Sequence, residues 1–115
     1  MIIVVEGTKS FNNYETFIRA MGVALSSVNN DNAVEVWSIG PHNINNYTAA
    51  FCNITENYLK QKGIKISFYR MHHSVAESNM HRVNYYAFFG DKKDSVSKIC
   101  ANAQLKGIET GIFRT

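Results

Sequence analysis

The chain has 115 residues, of which 45% are hydrophobic and 18% charged, and its formal net charge is +3. This length suits one domain with one buried core, and the composition excludes extended disorder and collagen-like sequence. No apolar run approaches the roughly 20 residues that span a bilayer, so no membrane partner is expected. The apolar start lacks a basic flank and meets Glu6 at once, unlike a signal peptide. We therefore expect a cytoplasmic protein.

The net charge and the two cysteines indicate which partners and which redox compartment to expect. A net charge of +3 is small for a dedicated nucleic-acid binder, so nucleic acid is disfavoured as a partner, whereas local affinity for anions is compatible with it. Cys52 and Cys100 each lie among apolar residues in a helix-like stretch. Buried free thiols in a reducing compartment are their expected state.

The first half of the chain alternates strand and helix signals. A β-branched run at residues 2–5 predicts a strand buried on both faces. Asn12 or Asn13 is predicted to cap a helix that ends near residue 28, before a turn at residues 29–32. The predicted apolar stripe of this helix consists of Phe17, Ile18, Met21 and Leu25.

A second strand and a second helix follow. The strand is predicted at residues 34–39 and ends at Gly40-Pro41. Asn45 or Asn46 is predicted to cap the helix, which Gly63 ends because glycine readily adopts the left-handed backbone conformation. The side chains predicted to face inward are Ala50, Phe51, Ile54, Tyr58 and Leu59.

The second half continues the pattern after an ambiguous segment. Residues 71–82 are polar and receive no assignment, and they form the one sizeable segment free to close over a ligand or to meet a partner. Asp94 or Ser95 is predicted to cap a long last helix that Gly107 ends. The remaining strands are predicted at residues 64–69, 85–89 and 108–113.

This alternation predicts the α/β fold class, as a single Rossmann-like domain over residues 1–115. We expect a five-stranded, mainly parallel sheet in the order 3-2-1-4-5, with helices on both faces. Ligands bind such sheets beyond the carboxyl ends of the strands, where the strand order reverses. The predicted site therefore lies between strands one and four.

Basic residues cluster at the predicted site. The cations at or just after a strand's carboxyl end are Lys9, Arg70, Lys92, Lys93 and Arg114. The loops there lead into helix N-termini, whose free N–H groups and positive dipole end favour anions. Phosphate is the predicted anion; the alternative is that loops merely tolerate lysine and arginine.

The loop after the first strand carries a family resemblance. Residues 7–15 read Gly-Thr-Lys-Ser-Phe-Asn-Asn-Tyr-Glu. They resemble the Gly-Ser-Arg-x-Phe-x-Asp-Tyr opening of the YspA-like branch of the SLOG superfamily, and a weaker likeness extends along the chain. Members are Rossmann-like domains that bind nucleotides and nucleotide-derived ligands. The resemblance implies that Gly7 allows close backbone approach, that Thr8 replaces the family's serine, and that Lys9 replaces its arginine.

Other loops depart from the family pattern. The family's second loop is typically Gly-Gly-Ala-x-Gly-Ala-Asp, whereas residues 40–46 read Gly-Pro-His-Asn-Ile-Asn-Asn, with Asn46 at the aspartate position. The Pro-Gly-Gly-x-Gly-Thr-x-x-Glu motif of the related Lonely Guy enzymes is absent after the fourth strand, where only Gly90 remains. We therefore expect a protein that senses or sequesters a nucleotide or nucleotide-derived signal, without turnover.

The predicted ligand site combines the two loops with the turn after the second strand. Its residues are Gly7, Thr8, Lys9, Ser10, Phe11, Ser38, Gly40, His42, Asn46, Gly90, Asp91, Lys92 and Lys93. Phe11, His42 and Tyr47 would offer stacking surfaces for a base. No cofactor or metal is predicted, because His73, Glu77 and His81 would span about 12 Å of helix, too far for one zinc.

Two other functions stay open. Glu6 and Asp91 are the acid–base candidates for a hydrolase of a nucleotide N-glycosidic or phosphate bond. The size, mild basicity and asparagine-rich composition are also similar to those of the valyl-tRNA synthetase modifiers of T-even-type phages. That similarity implies a phage protein that binds and modifies a host enzyme in the host cytoplasm. Exposed apolar helix residues would also allow a homo-oligomer.

Overall fold

Five parallel strands form one sheet in the order β3-β2-β1-β4-β5, as predicted. The computed structural model describes residues 1–26 and 32–115. The strands are β1 (Ile2–Gly7), β2 (Ala33–Ser38), β3 (Lys65–Arg70), β4 (Tyr85–Gly90) and β5 (Glu109–Arg114). The α-helices are α1 (Tyr14–Ser26), α2 (His42–Gln61), α3 (His73–Ser78) and α4 (Lys98–Leu105), and one 3₁₀ turn covers Met80–Arg82. The predicted helix end at residue 28 and most of the predicted turn at 29–32 lie outside the described residues.

β1 lies at the centre of the sheet, between β2 and β4. Val5 is paired with Ser38 on one side and with Ala87 on the other. Because all the pairings are parallel, the five strands end at one edge of the sheet, which we call the carboxyl edge. The radius of gyration is 13.1 Å, close to the roughly 13 Å of a compact domain of this size.

Helices cover both faces of the sheet, as predicted. Side chains alternate along each strand, so successive residues of β1 and β4 enter different hydrophobic clusters. The cluster under α1 and α2 includes Ile3, Val5, Phe17, Phe51 and Phe89. The cluster under α3 and α4 includes Val4, Trp37, Met80, Tyr86 and Phe88. In the described part of the chain, no helix has the length and apolar character of a membrane span.

The start of α1 is confirmed and that of α2 is corrected. Asn13 Oδ1 accepts a hydrogen bond of 3.0 Å from the Thr16 amide, as a cap should. The prediction that Asn45 or Asn46 caps α2 is wrong, because the helix follows Pro41 directly. Proline has a fixed φ and no N–H, which suits the start of a helix.

The predicted cap of the last helix, Asp94 or Ser95, is also wrong. Ser97 is the N-cap of α4, and its Oγ accepts a hydrogen bond of 3.0 Å from the Cys100 amide. The helix therefore starts later and has 8 residues. The Asp94 carboxylate turns back into the preceding loop. Gly107 follows α4 with a φ of 81°, as predicted, and Gly63 follows α2 with a φ of 77°.

The predicted apolar stripes are partly confirmed. Phe17, Met21, Phe51 and Leu59 are buried, as predicted. Three predicted inward residues are largely exposed, namely Ile18 (40%), Ile54 (68%) and Tyr58 (57%), and Ala50 is exposed as well. The buried face of α2 instead follows Ile44, Thr48 and Cys52. Thr48 is tolerated there because its hydroxyl donates to the Ile44 carbonyl at 2.7 Å.

Residues 71–82 are packed on the sheet through two buried side chains and are not a free segment, although most of their side chains are exposed. They form α3 and the 3₁₀ turn, from which Ala76 and Met80 enter the cluster under α3 and α4.

The two cysteines lie in the core. Cys52 and Cys100 are free and buried, as predicted, on opposite faces. Burial raises the pKa of Cys52 to about 12 and, with the Glu6 charge, that of Cys100 to about 11.

Candidate functional site

Exposed cations follow the strands along the carboxyl edge. They are Lys9, Arg70, Lys92, Lys93 and Arg114. Within residues 1–26 and 32–115, no carboxylate forms an ion pair with Lys9, Lys92 or Lys93; the ion pair found there joins Arg19 to Glu15 on α1. The Arg114 Nε donates a hydrogen bond of 2.8 Å to the Asp94 carbonyl. The edge therefore presents positive charge that no neighbouring carboxylate neutralises directly.

Asp94 joins the two loops that flank the point at which the strand order reverses. These are the β1–α1 loop (residues 8–13) and the β4–α4 loop (residues 91–97). Asp94 Oδ2 accepts hydrogen bonds from the Thr8 hydroxyl at 2.5 Å, the Ser10 hydroxyl at 2.9 Å and the Asp91 amide at 2.8 Å. These bonds, chiefly the one from Thr8, hold the pKa of Asp94 below its usual value. A carboxylate thus links the two loops at neutral pH.

The glycines beside this link are required for packing. A Cβ on Gly7 would lie 2.5 Å from the Phe89 carbonyl oxygen and 2.7 Å from Cδ1 of Ile44. The Gly7 amide itself donates to the Gly40 carbonyl at 3.2 Å. A Cβ on Gly90 would lie 3.0 Å from Asp94 Oδ2. In this structure, protein atoms fill the space that each glycine leaves.

The N-terminus of α2 lies against the β1–α1 loop. Asn43 Nδ2 donates to the Thr8 carbonyl at 3.1 Å and to the Phe11 carbonyl at 2.9 Å. The buried Ser38 hydroxyl donates to Asn45 Oδ1 at 2.5 Å. The N-cap of this 20-residue helix is Pro41, and the described residues provide no side-chain hydrogen bond that caps it. Its first-turn N–H groups therefore face the carboxyl edge without a side-chain acceptor.

The predicted stacking residues separate into core and surface. Phe11 is 1% exposed, and its ring centroid lies 5.2 Å from that of Phe89 and 6.1 Å from that of Tyr47. Tyr47 is half-buried and packs 5.1 Å from Tyr14. His42 is exposed at the first position of α2, and Asn46 is exposed one turn later. His42 is therefore the predicted aromatic residue whose ring is open to a ligand.

Both acid–base candidates are held in local hydrogen-bond networks. Glu6 Oε1 accepts hydrogen bonds from the Tyr86 hydroxyl and, at 2.6 Å, from the Ser97 hydroxyl. Burial, followed by the Glu6 charge, raises the pKa of Tyr86, which keeps this phenol protonated as a donor. Asp91 Oδ1 accepts from the Lys93 amide at 2.8 Å within a tight turn. These contacts position the start of α4 and shape the β4–α4 loop.

Three residues have roles at this carboxyl edge that the sequence did not predict. Asp94 and Asn43 hold the loops, and Ser97 connects α4 to Glu6. Pro41 was the available signal for Asn43, because a helix that starts after this proline places Asn43 in its first turn. The His73, Glu77 and His81 series forms no metal-binding group, and the described residues contain no other group of three His, Cys, Asp or Glu that would hold an ion.

No family model matches the chain, and no curated protein or solved structure shows significant similarity to it. The resemblance of residues 7–15 to the SLOG superfamily therefore stays a prediction.

Proposed function

We propose that the protein binds a nucleotide or nucleotide-derived anion at the carboxyl edge, beside the β1–β4 junction, and senses or sequesters it without turnover in the cytoplasm. One observation carries the proposal. Lys9, Lys92 and Lys93 lie on the two loops that Asp94 joins, and no carboxylate of the described residues pairs with them. Three unpaired ammonium groups at the ligand-binding edge of a doubly wound sheet suit a phosphate-bearing ligand.

The start of α2 supports the same ligand class. Its uncapped N–H groups and positive dipole end face the edge from the side opposite the β4–α4 loop. Asn43 fixes this helix end to the β1–α1 loop, so the donors are held in place before a ligand arrives. Preorganised donors reduce the entropic cost of binding.

The loop contacts indicate where the phosphate would sit. The Thr8 and Ser10 hydroxyls already donate to Asp94, whose negative charge opposes an anion between the loops. We therefore assign the phosphate to the outer rim, where the lysine side chains and His42 at the start of α2 are exposed. His42 and Asn46, on the exposed side of α2, are assigned to the base or ribose.

Binding without turnover is consistent with the surroundings of the two carboxylates. Glu6 receives hydrogen bonds from Tyr86 and Ser97, and Asp91 closes its own turn. These contacts engage Oε1 of Glu6 and Oδ1 of Asp91 in holding the loops, which is a structural role that requires no proton transfer.

Calorimetry with mono-, di- and cyclic nucleotides and ADP-ribose tests this proposal. We expect at least one ligand to bind, and Lys9→Ala to weaken it about tenfold or more, since a charge-assisted contact contributes about 1.5–3 kcal/mol. Lys60→Ala is the matched control, because Lys60 is an exposed lysine at the far end of α2. Absence of binding across the panel, or equal loss in both variants, would contradict the proposal.

A further inference from the structure

The outer side of β3 presents unpaired backbone groups. β3 is an edge strand with β2 as its one neighbour. The Lys65 amide donates to the Asn32 carbonyl and the Met71 amide to the Ser38 carbonyl, both at 2.8 Å. Odd-numbered residues of β3 therefore direct their N–H and C=O groups toward β2. Since these directions alternate, Ile66 and Phe68 direct theirs outward, where no partner is found within the described part of the chain.

Among residues 1–26 and 32–115, nothing pairs with the outer side of β3, and the strand itself lacks the features that commonly block an edge strand. A groove of about 470 Å³ runs beside it, lined by Glu56 and Lys60 of α2 and by residues 63–66. β3 contains no proline, and its charged residues, Lys65 and Arg70, stand at its two ends. Natural edge strands are commonly blocked by prolines, bulges or central charges, because an open edge recruits another strand.

The geometry points to a second copy of this chain as the occupant, with the two β3 strands paired antiparallel about a two-fold axis at Ser67. Ile66 and the partner's Phe68 would exchange two backbone hydrogen bonds, and the symmetry doubles these to four. The resulting sheet would run continuously through both subunits.

The side chains favour this register over the registers that are shifted by two residues. Residues directly opposite each other share a face of the sheet, so Ile66 lies opposite the partner's Phe68 and extends the apolar face under α2. Lys65 lies opposite the partner's Tyr69, away from like charge. A shift by two residues in one direction places Ile66 opposite the partner's Arg70. A shift by two residues in the other direction would need the backbone amide of Ile64 for pairing with the partner. That amide already donates to the Leu59 carbonyl at 2.9 Å.

β5, the edge strand on the opposite side of the sheet from β3, is less suited to the same pairing. Gly111 lies near the middle of β5, where a Cβ would collide with the Tyr85 hydroxyl. A glycine offers no side chain for a cross-strand contact and weakens a strand. We therefore assign the dimer interface to β3.

A self-directed disulfide tests both the interface and its register. Ser67 would face its own copy as a non-hydrogen-bonded pair with Cα atoms about 4.5 Å apart, within disulfide range. Under mild oxidation, we expect Ser67→Cys to form a covalent dimer. Lys65→Cys is the control, because its two copies would lie about 13 Å apart along the strands. Wild-type protein, whose two cysteines are buried, should give no covalent product.

Sedimentation velocity completes the test. Wild-type protein should sediment as a dimer, and Ser67→Lys should weaken the dimer up to about fivefold by placing like charges opposite each other. Gln104→Lys adds the same charge on α4 and should leave the dimer unchanged. A monomeric wild type at its highest soluble concentration would overturn the inference. Equal cross-linking of the two cysteine variants, or a dimer in which Ser67→Cys does not cross-link, would also overturn it.

Discussion

Thr8 donates a 2.5 Å hydrogen bond to Asp94 across a sequence separation of 86 residues, and this contact joins the two loops at the centre of the carboxyl edge. The acceptor, Asp94 Oδ2, also accepts hydrogen bonds from the Ser10 hydroxyl and from the Asp91 amide. Because these loops flank the point at which the strand order reverses, the Asp94 carboxylate determines the shape of the candidate site.

Asp94→Asn should lower stability at neutral pH, and the difference from wild type should shrink in acid. The folded-state pKa of Asp94 lies below the ordinary value of 3.8, so its contribution is present above that pH. The contribution is lost as the pH falls from that value through the lowered pKa. Thermal unfolding from neutral pH into acid measures the difference, with Glu77→Gln, an exposed carboxylate on α3, as the control. A constant difference at every pH would exclude this role of Asp94.

Gly7→Ala should destabilise the fold by about 1–3 kcal/mol, the usual cost of overpacking. The added methyl group would collide with the Phe89 carbonyl and the Ile44 side chain. Gly22→Ala is the matched control, since a Cβ there meets nothing within 4 Å. In the interior of α1, that alanine should stabilise by about 0.5–1 kcal/mol. Urea unfolding measures both variants, and an unaffected Gly7→Ala would show that the loop has space for a side chain.

Met80→Ala should destabilise the protein by about 2–5 kcal/mol, because Met80 is 3% exposed in the core under α3 and α4. His81→Ala, at the exposed neighbouring position, should change the stability by less than about 0.5 kcal/mol. Chemical denaturation of the two variants compares them. Small effects in both would mean that residues 71–82 detach from the sheet in solution.

Tyr86→Phe should cost about 1.5–3 kcal/mol, the usual value of a hydrogen bond to a charged group, because it removes the buried phenol hydroxyl that donates to Glu6. The ring volume is retained, so the change isolates the hydroxyl. Ser97→Ala should cost more, since Ser97 also caps α4 through the Cys100 amide. Denaturation midpoints test this ranking, and the opposite order would contradict the assigned roles.

The positions of the strands and of the helix ends were predictable because they depend on local patterns. Continuous apolar runs such as residues 2–5 mark strands buried on both faces, and Gly63 and Gly107 mark helix ends. Local capping preferences misplace the starts of α2 and α4, although Pro41 does signal the first of them. Asn45 and Asp94 are good capping residues, but their side chains bind the hydroxyls of Ser38 and Thr8.

The candidate site was likewise predictable only in part. The parallel topology alone brings Lys9, Lys92 and Lys93 to one edge, so their clustering follows from the sequence pattern. Phe11 resembles an exposed loop residue in sequence, yet its ring is buried against Phe89. That contact depends on tertiary packing, which no local periodicity encodes.

An amide NMR titration with a nucleoside triphosphate tests the central claim most directly, because it locates the ligand as well as detecting it. We predict saturable shifts confined to residues 8–13, 40–46 and 90–94, and their loss in the Lys92→Ala/Lys93→Ala double variant. Absence of shifts, or shifts centred on the Glu56 and Lys60 groove beside β3, would contradict anion binding at the carboxyl edge.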